Sequence, residues 1–490
     1  MATSPKAPER SPRATDDAAA VAPPSKRARV DGASSSVVSV NSYSGFTVPH
    51  DNFEIERIDI RELTPKAFFE RYVATRTPVV LRGFIMDEAF QAPTKWTNAY
   101  LRETAGETLL KVEERGSTTD KFGRGVEVDM QFKQLLSLIE AGDDLHYLTT
   151  QDVEADEDGR PEVMAPFIAK LQHDFPLRPA LMGHLVPQNI NIWMGNNKHG
   201  SSTGLHHDYH DNLYILLRGR KRFRLYSPAD TENMYTRGKL VKVHANGRIN
   251  YAGEETTAYG ADPFSEAAAQ AAQEKEEAER ELALAEAAVA NGDEGAEKRL
   301  EAAEERLDKA MLKVLRAARD DAEDEEEPED GEFGPFHFDE EDEDDDDDGQ
   351  EEAEGNGCDM NDSDSDIDED GYTAKKSVDK TVKDPVNFSR VDTSMLSDPE
   401  QRERLREQFP GFFHAKAAFC DIHVGEMLFL PASWFHEVES FGSADGHLAL
   451  NYWYHPPDQL DRFENPYSSP FWPRDWEARM TKKESDDQAA

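Results

Sequence analysis

Polar and apolar residues alternate with a period of two through most of the segment 189–225. Successive side chains of a β-strand point to opposite faces, so this period predicts strands with one buried and one polar face. A turn at Arg218-Gly219 separates two of these strands. The apolar positions are Ile190, Ile192, Met194, Leu213, Ile215 and Leu217. We therefore expect a mainly β domain.

Residues 50–262 are expected to form the first half of this domain together with N-terminal helices. Proline after Thr64 predicts a helix that Thr64 caps, and residues 130–141 predict a second helix. Short strands are expected near Phe53 and at residues 78–82. The strand-like sequence resumes at residues 386–470, which we interpret as the second half, followed by a C-terminal tail at 471–490.

Residues 263–385 interrupt the two halves with a different composition, and we interpret them as an insertion. Residues 264–319 are rich in Ala, Glu and Leu and are divided by Asn-Gly-Asp at 291–293. This pattern predicts a helical hairpin. Three residues of its second helix recur every seven positions, as in a packed helix seam: Leu300, Leu307 and Val314.

The insertion also contains most of the chain's excess charge. Residues 320–370 hold 30 Asp and Glu and no Lys or Arg, whereas the rest of the chain has 70 acidic and 55 basic residues. Such a tract is expected to be disordered. It argues against direct nucleic-acid binding and favours a basic protein partner, such as a histone. The alternative is a solvated tail without a partner.

The N-terminal residues 1–45 are rich in Pro, Ala and Ser and are expected to be disordered. Their basic cluster at 23–30 resembles a nuclear import signal, so we expect the nucleus, with the cytoplasm as a second location. Two cysteines, Cys358 and Cys420, favour a reducing compartment. The chain has no run of 18 apolar residues, and no membrane association is expected.

A His-x-Asp motif at His206 and Asp208 follows the first strand. Residues two apart on a strand share a face, so the two side chains can bind the same ion. A His-x-Asp pair alone is more often structural, but His436 can supply a third ligand. Two histidines and one carboxylate on one side of a divalent metal leave positions open for a chelating cosubstrate and dioxygen.

The strand after the turn places Lys221 on its apolar face, with Phe223 and Leu225. The other basic residues of this strand lie on the opposite face. A buried ammonium costs several kcal/mol unless an anion meets it, roughly the cost of an unpaired buried charge. We therefore expect Lys221 to bind a carboxylate of a ligand; the alternative is a lysine that extends to solvent at a barrel rim.

These motifs together resemble the JmjC-type, cupin-like 2-oxoglutarate oxygenases, in the small hydroxylase branch that includes the asparaginyl hydroxylase factor inhibiting HIF. The resemblance covers about 50–260 and 385–470. It rests on Thr203, Asn212 and Lys221, which lie three residues before, six residues after and fifteen residues after His206. It also rests on the motif Gly-Glu-Met-Leu-Phe-Leu-Pro-x-x-Trp-Phe-His, which ends at His436. It implies a double-stranded β-helix (jelly-roll) barrel with flanking N-terminal helices.

The same resemblance implies a set of cofactors and site residues. Iron(II) is expected at His206, Asp208 and His436, with 2-oxoglutarate and O2 as cosubstrates. The residues expected to contact 2-oxoglutarate or line its site are Lys221 and Thr203 at its distal carboxylate, Asn212 and Asn451 near its chelating end, and Tyr147 and Trp453.

Hydroxylation of a protein side chain, with release of succinate and CO2, is the reaction that we expect. Demethylation of an N-methyl-lysine or arginine by the same chemistry is the alternative, because the hydroxymethyl product releases formaldehyde. The absence of an evident chromatin-reader or zinc module favours hydroxylation. A non-catalytic, acidic histone-binding scaffold is a third hypothesis, against which the complete triad and Lys221 argue. RNA modification receives no support from the charge, and neither the substrate nor the oligomeric state is predicted.

Overall fold

The computed structural model describes residues 40–118, 125–155, 160–198, 200–324 and 385–489, without the side chains of 318–324 and 484–489. The basic cluster at 23–30 and nearly all of the acidic tract lie outside these residues. The strands are β1 (Phe53–Glu54), β2 (Arg57–Asp59), β3 (Val79–Arg82), β4 (Leu109–Glu114), β5 (Val126–Gln131), β6 (His146–Leu148), β7 (Pro187–Gly195), β8 (Ser201–Ser202), β9 (His206–His207), β10 (Asp211–Arg218), β11 (Arg220–Tyr226), β12 (Leu240–Val243), β13 (Ile249–Tyr251), β14 (Ala418–His423), β15 (Glu426–Leu430), β16 (Phe435–Phe441) and β17 (His447–Tyr454).

Helices surround these strands and also form the insertion. The α-helices are α1 (Pro65–Phe68), α2 (Ala92–Lys95), α3 (Asn98–Ala105), α4 (Phe132–Ala141), α5 (Pro166–Ala169), α6 (Pro263–Ala290), α7 (Ala296–Asp324), α8 (Pro399–Gln408) and α9 (Phe471–Ala489). A π-helical turn (Phe69–Val73) extends α1, and short 3-10 helices lie at Ile60–Glu62, Gln172–Asp174, Ala180–Met182, Pro228–Met234, Thr393–Ser397 and Pro410–His414. None of the helices in the described part of the chain has the length and apolarity needed to cross a bilayer.

Two mixed sheets face each other and form a jelly-roll barrel. The smaller sheet has the order β1-β14-β11-β16, with β8 and β9 both paired to β16, and the larger has the order β2-β3-β15-β10-β17-β7-β6-β4-β5. A tight turn at Gly219 carries the chain from the large sheet to the small one. Its φ of +82° suits glycine, and a Cβ there would lie 2.6 Å from the Phe441 carbonyl oxygen. This arrangement confirms the predicted fold class.

The barrel is packed on both faces of its larger sheet. One buried cluster fills the space between the sheets and includes Phe223, Leu225, Leu428 and Val438. A larger cluster covers the outer face of the large sheet with residues of the N-terminal helices. Strands of the large sheet are therefore buried on both faces, and β10 is buried along nearly its whole length. The expectation that β7 has a solvent-facing side was wrong, because its polar residues face the barrel interior.

The insertion leaves the barrel after β13 and the chain returns before β14. Because β11 pairs with both β14 and β16, one sheet is built from residues on both sides of the insertion. Helices α6 and α7 form an antiparallel pair whose ion pairs include Arg306 with Glu281 and Lys313 with Glu274. Alanines fill the buried positions of the pair and allow close approach of the helices: Ala271, Ala278, Ala285, Ala296, Ala303 and Ala310. The predicted seam residues Leu300, Leu307 and Val314 are only half-buried beside them.

Two terminal segments are more ordered than the sequence indicated. Within the expected N-terminal tail, the Ser42 amide donates to the Val243 carbonyl at 2.9 Å, so the chain pairs with β12 before β1 begins. The expected C-terminal tail is helix α9. Its Trp476 is buried against the large core cluster, which explains why the segment is helical.

A buried ion pair joins the region before β3 to the start of β10. The Arg76 guanidinium binds both carboxylate oxygens of Asp211, one at 2.8 Å, and both side chains are fully buried. The Arg76 Nε also donates to the Asn246 carbonyl at 2.9 Å, and Asp211 accepts a bond from the Ala432 amide at 2.8 Å. Four segments that are distant in sequence therefore meet at one pair of charges.

Replacing Arg76 with Met should lower the free energy of unfolding by about 3–5 kcal/mol, because Asp211 would remain buried without its counter-charge. Urea unfolding followed by far-UV circular dichroism measures the change. Arg61→Met is the matched control, since Arg61 is 79% exposed in its ion pair with Asp59; it should leave the free energy almost unchanged. Equal stability of the Arg76 variant and the parent protein would contradict the prediction.

Candidate metal and cosubstrate site

His206, Asp208 and His436 converge at one end of the small sheet, although they are far apart in sequence. His206 and His436 are direct cross-strand partners of β9 and β16, and their ring centroids lie 4.3 Å apart. The Asp208 Oδ2 is 3.5 Å from the His436 Nε2, and ligand atoms of all three residues lie within 4.8 Å of one another. Strand β9 ends at His207, so Asp208 reaches the site from the bend that follows the strand and not from the strand itself.

Each histidine of this triad is held by its Nδ1 atom. The His206 Nδ1 lies 3.0 Å from the Gly204 carbonyl oxygen, and the His436 Nδ1 lies 2.9 Å from the Trp434 carbonyl oxygen. A carbonyl only accepts hydrogen bonds, so each Nδ1 carries a proton and each Nε2 is the ring atom left to bind a metal. Burial, followed by the neighbouring His436, lowers the pKa of His206 to about 4, so this ring is neutral at pH 7. The donor set suits a divalent transition metal.

Lys221 is the buried cation of the barrel interior, with 1% of its surface exposed. Its Nζ donates to the Ser440 Oγ at 2.6 Å and lies 5.7 Å from the centre of the Tyr147 ring. Among the described residues, no carboxylate lies within ion-pair distance of it. Burial lowers the pKa of Lys221 to about 7, because nothing in its surroundings compensates the charge. The site therefore lacks an anion that a dicarboxylate can supply.

Ser440 is a site residue that the sequence analysis did not select. It is fully buried on β16 directly opposite Lys221, and its hydroxyl also contacts Tyr147. The signal was present, because Ser440 is the next inward position after His436 and Val438. Thr203 makes other bonds: its Oγ1 accepts the Val438 amide at 3.1 Å and donates to the Gly204 carbonyl at 3.0 Å. In the described residues, Ser440 and not Thr203 binds Lys221.

A row of amide side chains crosses the inner face of the large sheet beside the triad. The Asn451 Nδ2 donates to the Asn212 Oδ1 at 3.1 Å, and the Trp193 Nε1 donates to the Asn451 Oδ1 at 2.8 Å. Asn189 and Asn191 share this face, because they pair across strands with Trp453 and Asn451. Neither residue was predicted from the sequence, because the alternating pattern assigned both to the polar face of a half-buried strand.

Three polar atoms of this face are buried and have no hydrogen-bond partner among the described residues. They are the Asn189 Oδ1, the Asn191 Nδ2 and the Trp453 Nε1. Buried polar groups are normally satisfied, so such orphans mark a place where a ligand or ordered water binds. Trp453 also stacks with His210 at 5.7 Å and so continues the site toward the residues that follow Asp208.

The residues present fit iron(II) and 2-oxoglutarate. The triad offers two imidazoles and one carboxylate to a metal, and Lys221 with Ser440 offers an amine and a hydroxyl to a carboxylate. The amide row and its orphan atoms lie on the inner face of the other sheet. The structure thus brings together eight of the nine predicted residues on the facing inner surfaces, and the ninth, Thr203, binds the backbone of β16 beside His436.

Comparisons with known proteins agree with this arrangement. Residues 65–460 match the model of the cupin-like domain family. The chain is 31% identical over 459 residues, 87% of its length, to JmjC domain-containing protein 4 of Schizosaccharomyces pombe, of which the match covers 90%. It is 26% identical over 174 residues, 34% of this chain and 52% of the relative, to the human bifunctional peptidase and (3S)-lysyl hydroxylase JMJD7. A 78-residue match, 15% of this chain and 22% of the relative, is 40% identical to the lysine-specific demethylase JMJ32 of Arabidopsis thaliana.

A jelly-roll barrel with a two-histidine, one-carboxylate site defines the class of cupin-like oxygenase folds. The chain belongs to the cupin-like JmjC family. Enzymes of this family are 2-oxoglutarate-dependent oxygenases that generally use iron(II), and the relatives include a hydroxylase and a demethylase. The resemblance drawn from the sequence motifs is therefore confirmed at the level of the family.

Binding of 2-oxoglutarate should be coupled to proton uptake by Lys221. Below pH 7 the ammonium is already charged, so affinity should be constant; above pH 7 the protein must take up a proton, and affinity should fall by up to about tenfold per pH unit. Burial lowers the pKa of the neighbouring His447 well below its usual value and raises that of Tyr147, so these two groups do not titrate in the same range as Lys221. Calorimetry at pH 8 in two buffers of different ionisation enthalpy measures the uptake.

The control for this prediction is Lys221→Met. It should bind 2-oxoglutarate roughly 10- to 150-fold more weakly, which is the value of about 1.5–3 kcal/mol for one charge-assisted hydrogen bond. It should also show no proton uptake. A parent protein whose affinity does not change between pH 6 and pH 9 would show that Lys221 is charged in the absence of the ligand.

Proposed function

We propose that this protein is an iron(II)- and 2-oxoglutarate-dependent oxygenase that hydroxylates a side chain of a protein substrate. The observation that carries the proposal is the convergence of His206, Asp208 and His436 on the same sheet as the buried Lys221, which has no carboxylate of the described residues within ion-pair distance. A metal triad alone suits many reactions. The additional buried cation indicates a cosubstrate that has a carboxylate at a distance from the metal.

Two groups of residues have different roles in such a reaction. His206, Asp208 and His436 hold iron(II), while Lys221 and Ser440 hold the distal carboxylate of 2-oxoglutarate. When bound, iron(II) with O2 supplies an oxidation in which 2-oxoglutarate becomes succinate and CO2 and one oxygen atom enters a C–H bond of the substrate. The barrel excludes water around Lys221, which strengthens its charge-assisted bond to the cosubstrate.

One observation favours hydroxylation over demethylation. The match to the relative named as a lysyl hydroxylase covers 34% of this chain, against 15% for the relative named as a demethylase. Demethylation remains the second candidate, because it needs the same metal and cosubstrate.

Incubation of candidate protein substrates with iron(II), 2-oxoglutarate and O2 tests the proposal. We expect succinate formation and a substrate mass increased by one oxygen atom. His436→Ala should abolish both, whereas Glu439→Ala, an exposed change on the same strand, should not. A substrate mass reduced by one methylene group would instead establish demethylation. Binding of iron(II) and 2-oxoglutarate without any succinate formation would support a non-catalytic role.

We further propose that the acidic part of the insertion binds a basic protein substrate in the nucleus. The basic cluster at 23–30 supports nuclear import, and the sequence 325–370 contains 26 Asp and Glu and no Lys or Arg. Opposite charge accelerates encounter and makes binding sensitive to salt. The barrel motifs are complete without this segment, so its role lies in recognition.

Replacing the 26 carboxylates of 325–370 with Asn and Gln should weaken binding of histones at low salt without lowering substrate-independent turnover of 2-oxoglutarate. This variant keeps the length of the segment. A second variant, in which residues 325–370 are deleted, is compared with it. Anisotropy titrations at two salt concentrations measure the binding. Unchanged histone affinity would assign the segment no part in recognition, and lost basal turnover would show that it supports the active site.

A further inference from the structure

The segment at which the insertion returns to the barrel lies beside a metal ligand. Strand β9 has only two residues and pairs with β16 along one edge. Residues 387–389 cover its other edge. The His207 amide donates to the Asn387 carbonyl at 3.3 Å, the Asn387 Nδ2 donates to the His207 carbonyl at 2.6 Å, and the Ser389 amide donates to the Leu205 carbonyl at 2.9 Å.

The edge of this segment that faces away from β9 is also hydrogen-bonded, to residues 234–238. The Arg237 amide donates to the Phe388 carbonyl at 2.9 Å, and the Gly238 amide donates to the Val386 carbonyl at 2.8 Å. Ser389 also donates through its hydroxyl to the Met234 carbonyl at 2.5 Å. The backbone of Phe388 is therefore fixed by bonds that do not involve its ring, and a change of the ring leaves those bonds in place.

The Phe388 ring stacks on the His206 imidazole. Their centroids are 4.8 Å apart and the planes differ by 12°, while the His436 ring lies on His206 at 4.3 Å and 55°. The imidazole thus has an aromatic neighbour at Phe388, a second at His436, and a hydrogen bond from its Nδ1 to Gly204. The bond to Gly204 sets the tautomer but allows the ring to tilt about that bond. The stack with Phe388 restricts this tilt.

We propose that Phe388 is a positioning residue for His206, so that the return of the insertion forms part of the metal site. The inference rests on the proposed function, because it assumes that His206 binds a metal. Removing a group that orients a metal-bound histidine typically lowers metal affinity by about 10- to 100-fold. The ring contact of Phe388 is with His206, so it acts through the plane of that imidazole.

Equilibrium titration of the full-length, metal-stripped protein with Mn(II), followed by electron paramagnetic resonance, tests the proposal without any turnover. Phe388→Leu keeps an apolar side chain but removes the ring plane, and it should bind Mn(II) roughly tenfold more weakly. Phe388→Tyr keeps the ring and should restore the parent affinity. The visible absorption of bound Co(II), which reports ligand geometry, should change in Phe388→Leu and not in Phe388→Tyr.

Phe409→Leu is the matched control. Phe409 packs on Tyr235 at 5.0 Å, within the core cluster next to the return segment, and does not contact the triad. It should lower the melting temperature at least as much as Phe388→Leu and leave Mn(II) affinity unchanged. If Phe388→Leu does not fold, Phe388→Met replaces it in the same titration.

The outcomes separate this proposal from the proposed function. Parent protein that does not bind Mn(II), or His436→Ala that binds it equally well, overturns the metal site itself. Parent protein that binds Mn(II) and loses it in His436→Ala, together with an unchanged affinity in Phe388→Leu, overturns only the role of Phe388. A loss in Phe388→Leu that Phe388→Tyr does not restore assigns the effect to general packing and also overturns it.

Discussion

The buried pair of Arg76 and Asp211 is the constraint on which the geometry of the barrel mouth depends. Asp211 begins β10, three residues after Asp208, and its carboxylate also accepts the Ala432 amide. The next amide, that of Ser433, donates to the Asp208 carbonyl at 2.7 Å. Removing two full charges from water costs several kcal/mol per ion, so a buried pair contributes little net stability and mainly restricts the chain to one arrangement. Here that arrangement places the Asp208 segment against the loop that leads into His436.

The interior of the barrel contains a second buried ionisable group, Lys221, which has no counter-ion among the described residues. The Lys221 Nζ donates to the Ser440 hydroxyl and lies near the Tyr147 ring, and without a nearby carboxylate among the described residues its charge lowers the stability of the ligand-free protein. The cost is offset when an anion binds, since a ligand that binds only the folded state stabilises it. The unpartnered Asn189 Oδ1 and Asn191 Nδ2 on the facing sheet also lower stability until a ligand or water binds them. Lys221 and these orphan atoms therefore make the barrel interior a polar region that a ligand can satisfy.

Periodicity in the sequence predicted which face of a strand a residue occupies, but not what lies opposite that face. It placed Lys221 among buried neighbours correctly, because the two-residue period of β11 is geometric. It failed for Asn191, since a polar residue facing a ligand site and one facing solvent give the same pattern. Ser440 lies at the next inward position after His436 and Val438, so its place could be read from the period of β16, but its contact with Lys221 joins two strands. Phe388 was missed because its contact with His206 joins segments that are distant in sequence, and such pairings are absent from local patterns.

The insertion shows why the barrel tolerates a long interruption at this point. The entropy of closing a loop grows only with the logarithm of its length, about 0.6 kcal/mol for each doubling, so a long segment costs little more than a short one. Hydrogen bonds within α6 and within α7 satisfy their backbones, the contact between the two helices buries their alanine side chains, and β11 still pairs with β14 and β16. Thermodynamics therefore leaves most of the insertion free to vary. Its return is different, because Phe388 lies on the imidazole of His206. A sequence change there acts directly on a histidine of the triad, whereas the described side chains of the hairpin make no contact with the triad that would transmit a change.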